Sequence, residues 1–277
     1  YGLLTTRLAQ IENGDINTHY PPLLPLLLAV SYKLFGVSEW ATRLVPFLAT
    51  TGSIIIIWRI TRLEFGEMPG IFSALFALAT VVIRYFGKMP VHEPVALVFA
   101  LLAFWSIQLG KKRLTWLAVL LCLLTNWLGV YLVIGLTVLL GKRAWPLWLM
   151  TLFVITAHFL HTQWITGSWW GGGLWAVFLQ RTAIGGAAVS TPFTLGELVA
   201  RWKLWSISLY SVPLLSAALL GCLIVLGKKQ PRTTRLWLGL LIYGVGYALT
   251  FPNAAFIHDY FIYGSVAVVA FSASAVA

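Results

Sequence analysis

Charge is scarce in this chain. Only 10% of its 277 residues are Asp, Glu, Lys or Arg, where a water-soluble domain carries about 25%. With 60% hydrophobic residues and a mean hydropathy of +0.87, an ordinary soluble fold is excluded. Acids are the rarer sign, eight against nineteen bases. The two cysteines, Cys122 and Cys222, both lie in apolar runs. That leaves no disulfide framework and no metal-ligand spacing, and both read as small buried apolar side chains. Ten-residue alternating segments of the barrel type are missing. So are a nucleophile elbow, a P-loop and an HExxH pattern. Gly171-Gly172-Gly173 is no dinucleotide fingerprint, because no strand precedes it.

What the chain does have is long apolar runs. They fall at Leu44–Trp58, Met68–Phe86, Pro94–Leu109, Leu114–Leu140, Trp145–Trp164, Ile207–Leu226, Leu236–Phe251 and Phe261–Ala277, several of them near the ~20 residues a spanning helix needs. The fold class read from them is all-α: one polytopic helical membrane domain over residues 1–277. We expect about nine transmembrane or re-entrant helices, with short interfacial helices in the outer loops. The net charge of +11 is explained by basic cytoplasmic loops, and no nucleic-acid partner is expected. The chain opens at Tyr1 and stops at Ala277 inside an apolar run, so a piece of a longer protein is expected.

Leu114–Leu140 is the ambiguous run. It is about 40 Å long as a helix, too long for one crossing and too short for two full ones, and Asn126-Trp127-Leu128-Gly129 interrupts it. If it crosses and returns, Arg59/Arg62, Lys111-Lys112-Arg113, Lys142-Arg143 and Lys228/Lys229/Arg232/Arg235 share one face, eleven of the nineteen bases. The positive-inside rule favours that hairpin. The opposite, extracytoplasmic face then receives Glu12, Asp15, Glu39, Glu93, Glu197 and Asp259 together with the histidines. Chemistry is expected there.

Four stretches could carry it. In "THYPPLLPLLLAVSYKLFG", Pro21-Pro22 starts a helix running to Leu34, Gly36 stops it, and His19 and Tyr20 precede it in extended geometry. In "RYFGKMPVHEP", Arg84 and Lys88 lie one turn apart and His92 and Glu93 open a helix; Glu93 suits capping, yet ionisable groups at membrane depth also point to function. In "FPNAAFIHDYFIYG", His258, Asp259 and Tyr260 are adjacent, with Asp259 as a helix cap the structural alternative. "ITGSWWGGGLW" reads as an interfacial tryptophan belt on a glycine-rich loop. His158 and His161 share a helix face, but no third metal ligand is evident.

The stretch from His19 to Arg62 resembles the early region of integral-membrane C-type glycosyltransferases, in particular the protein O-mannosyltransferase and lipid A aminoarabinose transferase-like group. The resemblance rests on His19, Pro21, Pro22, Leu23, Leu34-Phe35-Gly36, Glu39 and Arg43, followed by an acid at a later helix head, Glu93, and a His-x-Tyr element, His258–Tyr260. It implies transfer of a sugar, with inversion, from a polyprenyl-phosphate donor to an acceptor hydroxyl of a protein, glycan or lipid. The expected setting is the extracytoplasmic side of a prokaryotic plasma membrane. His19, Arg43, Arg84, Lys88, His92, His258, Asp259 and Tyr260 would bind donor phosphate or sugar, and Glu93 would assist the general base. The group's Asp-Glu pair would fall just upstream of Tyr1, so the segment given would be inactive alone. No cofactor is required by these motifs; a divalent cation on the outer carboxylates stays open. A lipid-linked sugar flippase and a non-catalytic lipid-binding membrane protein are the rival functions.

Overall fold

A computed structural model describes residues 19–169, 174–182, 193–228 and 230–277. Every regular element among them is helical: α1 Leu23–Phe35, α2 Glu39–Phe65, α3 Glu67–Ala79, α4 Val81–Phe86, α5 His92–Gln108, α6 Lys112–Thr125, α7 Leu128–Leu140, α8 Trp145–Thr166, α9 Leu174–Thr182, α10 Leu195–Tyr210, α11 Val212–Gly227, α12 Pro231–Thr250, α13 Pro252–Ile257 and α14 Val266–Ser274. Two 3₁₀ segments, Gly141–Ala144 and Asp259–Ser265, join their neighbours. The chain is an all-α polytopic membrane protein, as its composition requires.

Local chemistry sets the boundaries. Gly36 adopts φ +76° and ends α1, a conformation that costs glycine little. Two residues later Ser38 caps α2, its hydroxyl accepting the Ala41 amide at 3.2 Å. The α1–α2 corner is closed by the Ser31 hydroxyl donating to the Ala41 carbonyl and by Tyr32 paired with Thr42. The expected helix from Pro22 to Leu34 is therefore present, displaced by one residue.

The ambiguous run resolves as a hairpin. Asn126 is extended (φ −158°) and ends α6; its side-chain oxygen accepts the Leu128 amide at 3.2 Å and restarts the helix as α7. From there α7 runs antiparallel to α12: Tyr131 meets Gly246 near one end, and Gly135 meets Gly239 further along. The approach is close, since a Cβ on Gly135 would stand 2.6 Å from the Gly239 carbonyl; small residues let membrane helices pack this tightly.

Helical hydrogen bonding continues from Leu128 to Thr166, 39 residues in all. That run is nevertheless not one span. Trp148 donates to Thr137 at 3.1 Å, and Trp127 packs edge-on against His158 at 5.0 Å, so α8 doubles back beside α7 at Gly141–Ala144. Two further sequence-based spans also need correction. Met68–Phe86 breaks at Thr80, which is extended and caps α4 through its hydroxyl. Ile207–Leu226 is broken near its start by a 102° bend between α10 and α11 at Ser211, whose φ is +71°. Part of the expected outer loop Ile165–Ser206 thus forms α9 and most of α10.

At one end of the bundle, Glu64 of α2 accepts from Gln108 of α5 and Thr233 of α12, both at 2.7 Å. The helix directions place Arg59, Arg62, Lys111–Arg113, Lys142, Arg143, Lys228, Arg232 and Arg235 at this end. Lys229 lies outside the described residues. At the other end the start of α5 meets the α6–α7 break, and the candidate site is built there.

Candidate functional site

His92 and Glu93 form the first turn of α5, and each is only 3% exposed. A carboxylate suits that position because the helix dipole is positive there. The Asn126 amide donates to Glu93 at 3.4 Å, so the break that splits the ambiguous run also supplies a partner for the buried acid.

The segment before α1 covers this turn. The Tyr20 ring stacks on His92, centroids 4.2 Å apart and planes 21° from parallel. Trp127 donates its indole N–H to the His19 carbonyl at 2.7 Å, which holds the extended approach to Pro21-Pro22 against the α6–α7 break. The corner therefore fixes His19 and Tyr20 beside the head of α5.

Arg181, in the last turn of α9, closes the arrangement. It donates to the Tyr20 hydroxyl at 2.7 Å and to the Tyr247 hydroxyl at 2.9 Å. Its guanidinium also lies over the Tyr20 and Phe261 rings. No carboxylate of the described residues pairs with it. The short helix is pinned by Asn253, which donates to the Gln180 carbonyl at 2.6 Å, and by Phe178 edge-on to Phe251. Beneath lies a cavity of about 390 Å³. His19, Trp127, Tyr131, Phe178, Arg181 and Tyr247 are among its lining residues. A cation on the wall of an apolar, aromatic chamber suits a ligand that joins an anionic head to a hydrocarbon.

His258 stacks on Tyr260 at 5.0 Å and lies edge-on to Phe261 at 5.8 Å. Burial pushes its imidazole below the ordinary value, and nearby Arg181 pushes the same way against Asp259. It is neutral at neutral pH. Asp259 opens the 3₁₀ segment without capping it through its side chain, so the capping alternative is not met.

Among the sequence-derived candidates, the structure thus brings His19, His92, Glu93, His258 and Tyr260 toward one end, with Arg181 at the centre and Asp259 beside His258. It does not bring in the other cations. Arg43 pairs with Glu39 at 2.7 Å on an exposed helix face. Exposed Arg84 donates to the Ala79 carbonyl at 3.1 Å. Lys88 is exposed and lies past Gly87, which ends α4. Glu197 is taken up by a capping box with Thr194. Glu12, Asp15, the opening stretch Tyr1–Asp15 and Gly171–Gly173 lie outside the described residues. No group of three His, Cys, Asp or Glu among the described residues could hold a metal.

Sequence reasoning passes over Arg181 and Tyr247. The only signal for Arg181 was a lone cation closing the aromatic nonapeptide "LWAVFLQRT" within a stretch read as loop. Asn126 was noticed as a helix breaker but not as a partner for Glu93.

A helical integral-membrane protein with a cation-bearing apolar chamber is the class these features define. The family described as dolichyl-phosphate-mannose-protein mannosyltransferase matches residues 19–183, and the chain belongs to that family. An uncharacterized protein of Aquifex aeolicus (strain VF5) is 29% identical over 128 residues, 46% of this chain. The matched stretch spans 31% of that relative's own length. Among solved structures, ArnT from Cupriavidus metallidurans in the apo state is similar at TM-score 0.48 and 15% identity, covering 98% of this chain and 70% of that one. ArnT bound to undecaprenyl phosphate gives TM-score 0.44 and 16% identity, covering 95% and 68%. Likenesses this distant add nothing to the site itself.

Proposed function

We propose that this chain is the membrane core of a glycosyltransferase that moves a sugar from a polyprenyl-phosphate donor to an acceptor hydroxyl, with inversion, on the extracytoplasmic side. The observation that carries the reading is Arg181: a cation held by two tyrosine hydroxyls, with no carboxylate pairing it among the described residues, on the wall of an apolar chamber. A guanidinium has five donors, and the two tyrosines take two of them. The rest suit a phosphate, and the aromatic wall suits the prenyl units next to it.

The chemistry follows from this placement. The acceptor oxygen attacks the anomeric carbon as the bond from that carbon to the phosphate oxygen breaks, and the electron pair leaves with the lipid phosphate. Arg181 stabilises the charge that develops there, aided by His19, and by His258 once it is protonated. The acceptor proton needs a carboxylate. Glu93, buried and held by Asn126, orients that base or the sugar. The Tyr20–His92 stack couples the phosphate end to the Glu93 end. Support for the side comes from the basic residues gathered at the opposite end of the bundle, which the positive-inside rule assigns to the cytoplasm.

The test uses full-length protein in lipid vesicles with a polyprenyl-phosphate sugar. Arg181→Ala is expected to abolish measurable binding of polyprenyl phosphate while the thermal midpoint stays close to wild type. Undiminished binding would refute the assignment.

A further inference from the structure

A polar pocket lies at the basic end of the bundle. It encloses about 640 Å³ between Leu63 and Glu64 of α2, Gln108 of α5, and Gln230, Arg232 and Thr233 at the start of α12. Its carboxylate is already engaged. One Glu64 oxygen accepts from the Gln108 amide and the other from the Thr233 hydroxyl, both at 2.7 Å, so two donors offset its charge before any ligand arrives. Its cation is not engaged in that way. The Arg232 guanidinium donates to the Gln108 carbonyl at 3.3 Å, and no ion pair holds it among the described residues. That bond leaves most of its five donors to solvent or a ligand. Arg62, next to Leu63 in the chain, is by contrast taken by Glu67 at 2.5 Å. The helix start adds to the cation: Gln230 makes no side-chain cap and Pro231 opens α12, so the first-turn amides carry the positive end of the dipole toward the pocket.

The surroundings decide what kind of anion fits. Leu63, on the pocket wall, is 53% exposed, and Leu109 and Leu226 at the same end are exposed as well. Lys228 lies over the Phe65 ring at 5.3 Å, and Lys111, Lys112 and Arg113, all exposed, follow Gln108 in the chain. A polar recess with one open cation, an apolar lip and a basic rim matches an amphiphile with a phosphate in its head. A soluble anion would gain nothing from the lip. We propose that this pocket binds an anionic phospholipid of the leaflet that meets the basic end, the cytoplasmic one on the topology above. Its phosphodiester sits on Arg232 and the start of α12, and an acyl chain runs over Leu63. The lipid is bound and not consumed. The site lies at the opposite end from Arg181, so it stands or falls apart from the transferase reading.

Native mass spectrometry of the full-length protein in mild detergent compares phosphatidylglycerol with phosphatidylcholine of the same acyl chains. Inorganic phosphate and glycerol phosphate are the soluble arms. Phosphatidylglycerol should bind about five-fold or more tighter than phosphatidylcholine. Arg232→Gln, which keeps a donor for the Gln108 carbonyl, should bring that preference down to about two-fold or less. Lys142→Gln removes the same charge from the same end but outside the pocket. It should leave the preference unchanged at about 0.15 M salt, where separated surface charges are screened. A readout free of any variant is photolabelling by a diazirine-bearing acyl analogue of phosphatidylglycerol, which should favour Leu63 over Leu152, an exposed leucine of α8. Equal losses in Arg232→Gln and Lys142→Gln would overturn the site in favour of attraction spread over the whole end. Equal binding of the two lipids, equal labelling of the two leucines, or displacement of phosphatidylglycerol by either soluble phosphate at matched concentration would overturn it too.

Discussion

Each end of the bundle carries a carboxylate held by a side-chain amide. At the basic end, Glu64 accepts from Gln108 and from Thr233, both at 2.7 Å, and so ties α2, α5 and α12 together. Arg232 adds a bond to the Gln108 carbonyl. At the other end, Glu93 is reached by Asn126 at 3.4 Å, beside an aromatic stack and an apolar chamber. The residue types are nearly the same. What differs is the neighbourhood: Glu64 ties three helices together through hydrogen-bonding side chains, while the buried Glu93 lies near stacked aromatic rings. The carboxylate alone does not mark a site; the apolar chamber and the arginine beside it do.

The largest effect should come from breaking the site end. Glu93→Gln keeps the shape but removes the charge, and transfer by full-length protein should fall by about two to three orders of magnitude, the usual scale for losing one electrostatic contributor. Polyprenyl-phosphate binding should persist, because Arg181 carries it. Turnover measured beside binding checks this, and equal loss of both would make Glu93 part of the donor site. The mirror experiment, Glu64→Ala, should leave turnover per folded molecule intact and cost about 1–3 kcal/mol of stability, because the Gln108 amide and Thr233 hydroxyl lose their partner. Denaturation in mild detergent reads that difference. A loss of turnover without a loss of stability would erase the contrast between the two ends.

How much of this was legible beforehand follows the same divide. The hairpin, the basic end and the position of Glu93 at a helix head all follow from charge distribution and breaker residues, which act locally. Arg181 was not legible, because its role comes from contacts with Tyr20 and Tyr247, 161 and 66 positions away in sequence. Arg84 and Lys88 share no regular helix for a local reason: Gly87 ends α4 between them. The spans that broke, at Thr80 and Ser211, did so at small hydroxyl residues inside apolar runs, where hydropathy gives no warning; at Thr80 the side chain satisfies backbone groups itself.

A subtler probe of the site end is His258. Its folded pKa is depressed by burial and by Arg181, below about 6.5 for a free imidazole. The sign follows directly. Above that value both folded and unfolded chains hold neutral histidine, so no stability is at stake. As pH falls below it, the unfolded chain takes up the proton first, and stability is lost until the folded pKa is passed. Bound phosphate should reverse the shift, because an anion favours imidazolium. Imidazole NMR resonances should titrate below the ordinary midpoint in the apo protein and move upward with polyprenyl phosphate. No movement would place His258 away from the phosphate.

The smallest effect is expected at Arg43, a residue the sequence proposed for the donor site. Its ion pair with Glu39 is an i, i+4 contact with side chains 41% and 75% exposed, a setting in which an ion pair contributes about 0–1 kcal/mol and fades with salt. It is also not among the residues lining the aromatic chamber. Arg43→Ala should therefore lower stability by no more than that at low salt, and by less at high salt. It should leave polyprenyl-phosphate affinity within about two-fold, far less than Arg181→Ala. If Arg43→Ala instead weakens binding as severely as Arg181→Ala, the anion site extends outward past the start of α2, and the contrast between an engaged arginine in the chamber and a surface-paired one fails.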